Sequence, residues 1–205
     1  MLKRLLDILG ALVGLVLFSP VFLVAAVLIR ATSPGPVFFV QGRLGRDGQV
    51  FRMLKFRTMV QNAEQMGTGL FSYEDDPRIT RIGHYLRIAS LDEIPQFLNV
   101  LGGSMSIVGP RPPVTYELGD YKDFTPTMKI RFQVKPGITG LAQVSGRNDL
   151  DWDEKIHFDN IYVEKFRRWG VLYDLWIILR TVWVVISARS TIEARRDGSD
   201  GEQAK

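Results

Sequence analysis

Between Asp7 and Arg30 the chain runs for 22 residues, Ile8 to Ile29, without a charged side chain, and near the middle of that run stands Ser19-Pro20. No other feature limits the fold as much. As one continuous helix the run would be ~33 Å long, which matches the ~30 Å hydrocarbon core of a bilayer. It exceeds the ~7–15-residue apolar region of a secretory signal, and no small-x-small cleavage site follows it. Proline at its centre removes one backbone donor and clashes with the preceding turn, so a kink is expected. Two arms of ~16 Å each can enter one leaflet and return, if carbonyls freed near the proline find a partner such as Ser19. Charge points the same way. Lys3 and Arg4 precede the run, and from Arg30 to Thr58 six basic residues (Arg30, Arg43, Arg46, Arg52, Lys55, Arg57) stand against the single acid Asp47. Both ends carry the basic residues of a cytoplasmic flank. Ser19 and Pro20 are therefore expected to set a re-entrant topology over residues 1–32, with a single spanning helix as the alternative.

The remaining length suits one domain. Of the 205 residues 46% are apolar and 23% charged, near globular averages, which excludes collagen-like, low-complexity and mostly disordered chains. With no cysteine and only His84 and His157, disulfides, a thiol nucleophile and a multi-histidine zinc site are excluded, so any metal would be held by oxygen. A net charge of +4 is modest for a nucleic-acid binder, and no nucleic-acid partner is expected. It suits a chain that meets anionic lipid or anionic substrates.

Ser33-Pro34-Gly35-Pro36 marks the exit from the apolar segment. The runs 37–40 and 51–56, joined by the glycine-rich stretch 42–48, predict a hairpin with Leu54 and Phe56 on one face and Lys55 and Arg57 on the other. Ile79, Ile82 and Leu86 recur at helical spacing, with Arg81, His84 and Arg87 on another face. A further helix runs from Ile94 to Leu101 and stops at Gly102-Gly103. The segment 108–113 is too proline-rich for a regular element and reads as a rigid loop presenting Arg111. Residues 135–148 read as a glycine-punctuated loop whose backbone can approach a ligand. Residues 152–167 read as helix, and beyond Gly170 the residues Trp169, Leu172, Trp176, Leu179, Trp183 and Ile186 form a stripe at steps of three or four. Such a stripe suits a helix lying in a membrane interface, or plain core packing. Asp174 on that helix needs a basic partner and is expected to orient rather than react. Residues 189–205 are polar and expected to be disordered. His84 is expected at the surface, and His157 is expected to be structural.

Chemistry concentrates at Ser90-Leu91-Asp92-Glu93-Ile94-Pro95. Ser90 and Glu93 fit a capping box, with both acids merely complementing a helix dipole. The other reading is that Arg57, Arg87 and Arg111 converge on the two acids. Carboxylates among arginines suit joint binding of a metal and a phosphate, and an aspartate can attack phosphorus to give an acyl-phosphate.

In order along the chain stand Lys3-Arg4 and Asp7, Ser19-Pro20, Gly35-Pro36-Val37-Phe38-Phe39 with Gln41 and Arg43, Lys55-Phe56-Arg57-Thr58-Met59, and Arg87 with the acidic segment through Gln96. Then come Met105 to Pro112, Lys135 to Val144 with Gly146-Arg147-Asn148, and Asp174. In this series the chain resembles the bacterial sugar transferase family of monotopic polyprenol-phosphate phosphoglycosyl transferases, in the short form that is little more than the catalytic unit. The resemblance implies an α+β, mostly helical fold: a single membrane-associated domain with an N-terminal re-entrant helix (1–32), a catalytic part (33–188) holding a small β-hairpin, and interfacial amphipathic helices. It implies an enzyme on the cytoplasmic face of the bacterial inner membrane, both termini cytoplasmic, that moves a sugar 1-phosphate from a UDP-sugar to undecaprenyl phosphate and releases UMP. Asp92 would be the nucleophile of a ping-pong mechanism, and Glu93 would complete the dyad, with Mg²⁺ held by Asp92 and Glu93. Arg87 and Arg111 look like phosphate-binding groups, with Lys55, Arg57, Gln143 and Arg147 as further substrate-binding candidates. A tethered, non-enzymatic binding module and a transferase using another nucleotide-diphosphate donor are the alternatives. The sugar and the oligomeric state stay open.

Overall fold

The structure, a computed structural model, describes residues 1–67, 69, 73, 76–146 and 150–198, the side chains of 188–198 apart. Helices α1 (Leu2–Leu17) and α2 (Ser19–Thr32) meet at Phe18 with a bend of 61°. Pro20 accounts for the bend, because it has no N–H to give the Val16 carbonyl four residues back. Ser19 Oγ donates to that carbonyl instead, at 2.8 Å. The ladder resumes with Phe22 N donating to Phe18 O at 2.8 Å. Among the described residues no single helix is long and apolar enough to cross a membrane, and α1 and α2 reach that length only as a bent pair.

The hairpin β1 (Phe38–Leu44) and β2 (Val50–Phe56) pairs from Phe38↔Phe56 to Leu44↔Val50. The ladder runs past Gly42, where the sequence predicts the connection to begin, and only a short turn around Asp47, at φ 55°, joins the strands. Helices α3 (Arg81–Ile88) and α4 (Gln96–Gly102) follow, the second ended by Gly103 at φ 86°. Then come β3 (Ser106–Val108), α5 (Pro126–Ile130), β4 (Gly137–Thr139), α6 (Leu141–Ser145), α7 (Trp152–Trp169) and α8 (Val171–Gly198). The architecture is α+β and mostly helical.

Residues 137–145 correct the expected loop, since β4 pairs in parallel with β3 and α6 follows directly. Gly137 serves this pairing. A Cβ on Gly137 would stand 2.1 Å from Gly109 N, and one on Gly109 would stand 2.3 Å from Lys135 O.

Three apolar clusters fasten the parts together. Ala25 and Ile29 of α2 pack with Phe56, Leu86 and Ile94. There the Phe22, Phe38 and Phe56 rings lie 4.9–5.8 Å apart, contacts worth about 0.5–1.5 kcal/mol per pair beyond burial. Ala11 of α1 packs with Met53, Val100 and Met105. Tyr162, Val163 and Ile177 of α7 and α8 close over Val108, Leu141 and Val144.

The first turn of α1 is tied in by polar groups. Arg4 donates to the Val100 and Leu101 carbonyls at the end of α4, and buried Asp7 accepts from Ser106 Oγ and Ile107 N, both at 2.9 Å. Lys3 Nζ lies 2.6 Å from Asp174 Oδ2 and donates to Val108 O. Lys3 and Arg4 are therefore structural contacts as well as flanking charges.

Outward, the bent pair exposes Leu5, Leu9, Leu12, Val13, Val16, Leu23, Val24 and Val27. The whole tryptophan stripe, from Trp169 at the end of α7 along α8 to Ile186, is exposed, while Asp174 and Ile177 face the protein. Core packing of that stripe is thus overturned. Helix α8 continues beyond Arg189, into the expected tail, as far as Gly198, and residues 199–205 lie outside the described residues.

Candidate active site

Helix α3 ends at Ala89, and Ser90 takes a left-handed φ of 55° before the single 3-10 turn Leu91–Glu93. An N-cap serine has β-region backbone, so this conformation breaks the capping box that the spacing predicts, and no side-chain cap bond forms. A true capping box forms at α7 instead, between Asp151 and Glu154.

Freed from capping, Glu93 Oε1 accepts from Lys55 Nζ at 2.8 Å and from Arg111 at 3.1 Å. Asp92 Oδ2 stands 3.7 Å from the same Lys55 nitrogen, within ion-pair range but outside hydrogen-bond reach. Lys55 reaches the dyad from β2, and Arg111 reaches it from the loop after β3. The site is thus assembled by the hairpin, the 3-10 turn and a proline-stiffened loop.

The two acids are treated differently by their surroundings. Burial pushes the Asp92 carboxyl above its ordinary value, with the Glu93 charge adding to it, although Lys55, Arg111 and Arg87 pull the other way. Burial pushes Glu93 up as well, but the charges and hydrogen bonds of Lys55 and Arg111 outweigh it and hold Glu93 at about 2. Glu93 is a fixed anion that anchors two cations. Asp92 is a less stabilised anion, and correspondingly more basic.

Asp92 opens on a cavity of about 830 Å³, also lined by Lys55, Arg87, Arg43 and the apolar Phe38 and Phe39. That volume falls in the ~300–1,000 Å³ range of small-molecule sites. Its lining also includes Glu117 and Glu64, and Glu64 Oε1 accepts from Gln41 Nε2. The segment bearing Glu64 is gathered by Arg78, which donates to the Ala63, Met66 and Gly69 carbonyls and pairs with Asp76 at 2.6 Å.

Of the other candidates, Arg57 lines the cavity, yet its guanidinium is engaged by Pro34 O, Ser33 O and Ser33 Oγ in the turn after α2. Gln143 sits on α6, and the cavity lining does not include it. Arg147 lies outside the described residues. His84 is exposed on α3, and His157, expected to be structural, is also exposed, touching Phe158 edge-on. Sequence reasoning assigned no site role to Gln41, Arg43 or Glu64. Arg43 counted toward charge bias and motif, but Glu64 sits in a polar stretch with no spacing signal.

Among the described residues no group of three or more histidines, aspartates and glutamates could hold a metal ion. Two adjacent carboxylates remain compatible with Mg²⁺, which is commonly bound by one or two carboxylates together with substrate phosphates.

Residues 1–188 match the family described as bacterial sugar transferase. The chain is 46% identical over 195 residues to the galactosyl transferase CpsE of Streptococcus agalactiae, covering 90% of this chain and 42% of that protein. It is 40% identical over 205 residues to the exopolysaccharide production protein ExoY of Rhizobium meliloti, covering 93% and 88%. It is 43% identical over 189 residues to the UDP-glucose:undecaprenyl-phosphate glucose-1-phosphate transferase of Escherichia coli, covering 89% and 40%. The chain thus spans most of ExoY and about two fifths of the other two.

Proposed function

Because the chain belongs to the bacterial sugar transferase family, we propose that it transfers a sugar 1-phosphate from a UDP-sugar to undecaprenyl phosphate through a covalent intermediate on Asp92. In the first half-reaction an Asp92 carboxylate oxygen attacks the β-phosphorus, an acyl-phosphate bond forms, and the bond to the UMP oxygen breaks. In the second, a phosphate oxygen of the lipid attacks the same phosphorus and restores the carboxylate.

The observation that carries this reading is the division of roles in the dyad. Glu93 absorbs the hydrogen bonds of Lys55 and Arg111, whereas Asp92, raised by burial, faces the cavity beside Arg87. A partly desolvated carboxylate is the better nucleophile, and the surrounding cations offset charge developing on the phosphoryl oxygens. Arg87 and Lys55 bind the diphosphate, and Arg111 completes that side. Mg²⁺, held by Asp92 and Glu93 with substrate oxygens, would supply further charge stabilisation when bound.

A lipid acceptor requires the site to lie at membrane level. The support is twofold: the exposed apolar faces of α1, α2 and α8, and the fastening of both helices of the bent pair to one domain. With Lys3 and Thr32 both at that domain, α1 and α2 form a re-entrant pair that stays in one leaflet. The domain and both termini then lie on the cytoplasmic face of the inner membrane. The stripe of α8 lies in the interface, where indole rings are favoured.

The test is UMP release by detergent-purified protein with Mg²⁺ and a panel of UDP-sugars, with and without undecaprenyl phosphate. Sustained release that needs the lipid and is abolished in Asp92→Asn is the expected result. No release across the panel from folded protein would overturn the reading.

A further inference from the structure

The loop that presents Arg111 is gripped at four successive carbonyls. Pro110 O accepts from Gly137 N at 3.0 Å, Arg111 O from Arg131 at 2.6 Å, Pro112 O from Arg43 at 2.9 Å, and Pro113 O from Leu44 N at 3.0 Å. Prolines at 110, 112 and 113 have no N–H to give, so the loop is held almost entirely through its acceptors. Beyond that hold, Arg111 itself is weakly constrained. Its side chain is 42% exposed, and it pairs with Glu93. Where its guanidinium stands thus depends on its own backbone.

The grip on Arg111 O comes from the most deeply buried ion pair among the described residues. Arg131 and Asp159 are 2% and 1% exposed, with Arg131 NH2 2.8 Å from Asp159 Oδ2. The guanidinium lies 5.2 Å from the Trp152 ring and 5.4 Å from Phe132. The same nitrogen that faces Asp159 donates to Arg111 O. A buried ion pair is a weak source of net stability, because desolvation of both charges offsets their attraction. Here its geometric consequence is specific, since it links α7 to the carbonyl of Arg111, whose side chain donates to Glu93.

We propose that Arg131, held by Asp159, is a positioning residue that sets the Arg111 guanidinium at the dyad and thereby tunes binding of the donor diphosphate. The inference rests on the reading of Arg111 as a phosphate-binding group. Displacement of a bound group by about 1 Å can cost on the order of 100-fold in rate, so a backbone grip of this kind is large enough to measure.

The experiment is a double-mutant cycle on the full chain: wild type, Arg131→Lys, Arg111→Ala and the double variant. It reads KM for the UDP-sugar and kcat for UMP release, alongside thermal unfolding. Lysine keeps the charge opposite Asp159, but its ammonium falls one bond short of the Arg131 Nη2 position, so it cannot hold Asp159 and Arg111 O where the guanidinium does. The expected result is a donor KM raised about tenfold in Arg131→Lys with kcat changed less, and no further rise when Arg131→Lys is added to Arg111→Ala. Effects that multiply in the double variant would overturn the positioning role and leave the reading of Arg111 standing. An unchanged donor KM in Arg111→Ala would instead overturn that reading, and the inference with it. If Arg131→Lys does not fold, the neutral pair Arg131→Gln/Asp159→Asn takes its place in the same cycle, judged by the same criteria.

Discussion

Lys3 Nζ stands 2.6 Å from Asp174 Oδ2, so the first turn of α1 and the first turn of α8 are joined by a largely buried ion pair. The other Asp174 oxygen accepts from Tyr162 OH at 2.8 Å, and Lys3 also donates to Val108 O. The two exposed apolar surfaces, the bent pair and the α8 stripe, are thus locked to each other and to the strand that leads into the Arg111 loop.

Breaking this clasp from one side leaves a charge without its partner. Asp174→Asn or Lys3→Gln alone is expected to lower stability by about 3 kcal/mol, and the double variant by clearly less than the sum. Thermal unfolding in detergent measures this, and strictly additive losses would show that the pair is not coupled.

The topology is testable because the chain has no native cysteine. Leu2 and Thr32 are exposed at the two ends of the bent pair, so cysteines belong there. Both should react with an impermeant reagent from the cytoplasmic side only. Reaction from opposite sides would mean a spanning helix. Pro20→Ala restores the missing donor to Val16 O and should move the population toward spanning.

The α8 stripe gives a third expectation. Leu179 and Trp183 are 63% and 66% exposed, so replacing both by lysine should leave the unfolding temperature nearly unchanged. Vesicle affinity should fall about tenfold or more, since burying one such side chain is worth about 1.5–3 kcal/mol. A large loss of thermal stability with unchanged vesicle binding would assign the stripe to protein packing instead.

Asp159 supplies a pH signature. Burial pushes its carboxyl up to about 6, although Arg131 pulls against this. The native state therefore holds this proton longer than the unfolded chain does, and the contribution of Asp159 to stability falls as pH rises from ~4 to ~6. The wild-type stability curve minus that of Asp159→Asn should decline across that window by roughly 2–3 kcal/mol and be flat above it. A difference that rises there would contradict the assignment.

What was legible in the sequence is what local chemistry dictates. Pro20 and Ser19 foretold both the bend and its repair, since a proline's missing donor and a neighbouring hydroxyl are adjacent in the chain. Helices α7 and α8 followed from spacing. The capping box at Ser90 did not form, because its pattern is silent about Lys55 and Arg111, which arrive from distant segments and compete for Glu93. The pairing of β3 with β4 hid behind glycines that resemble loop residues until two backbones are seen to meet there. Arg131 and Asp159 belong to no motif, and only their approach across 28 positions makes them a buried pair.

The central claim is that Asp92 carries the sugar phosphate. Its most direct test is intact-protein mass spectrometry after mixing the protein with Mg²⁺ and a UDP-sugar in the absence of undecaprenyl phosphate, with UMP quantified alongside. The expected result is up to one UMP released per active site and a matching mass gain of one sugar phosphate, mapped to the peptide bearing Asp92 and absent from Asp92→Asn. A protein that turns over fully when the lipid is present, yet without it releases no UMP and gains no mass, would contradict the covalent mechanism.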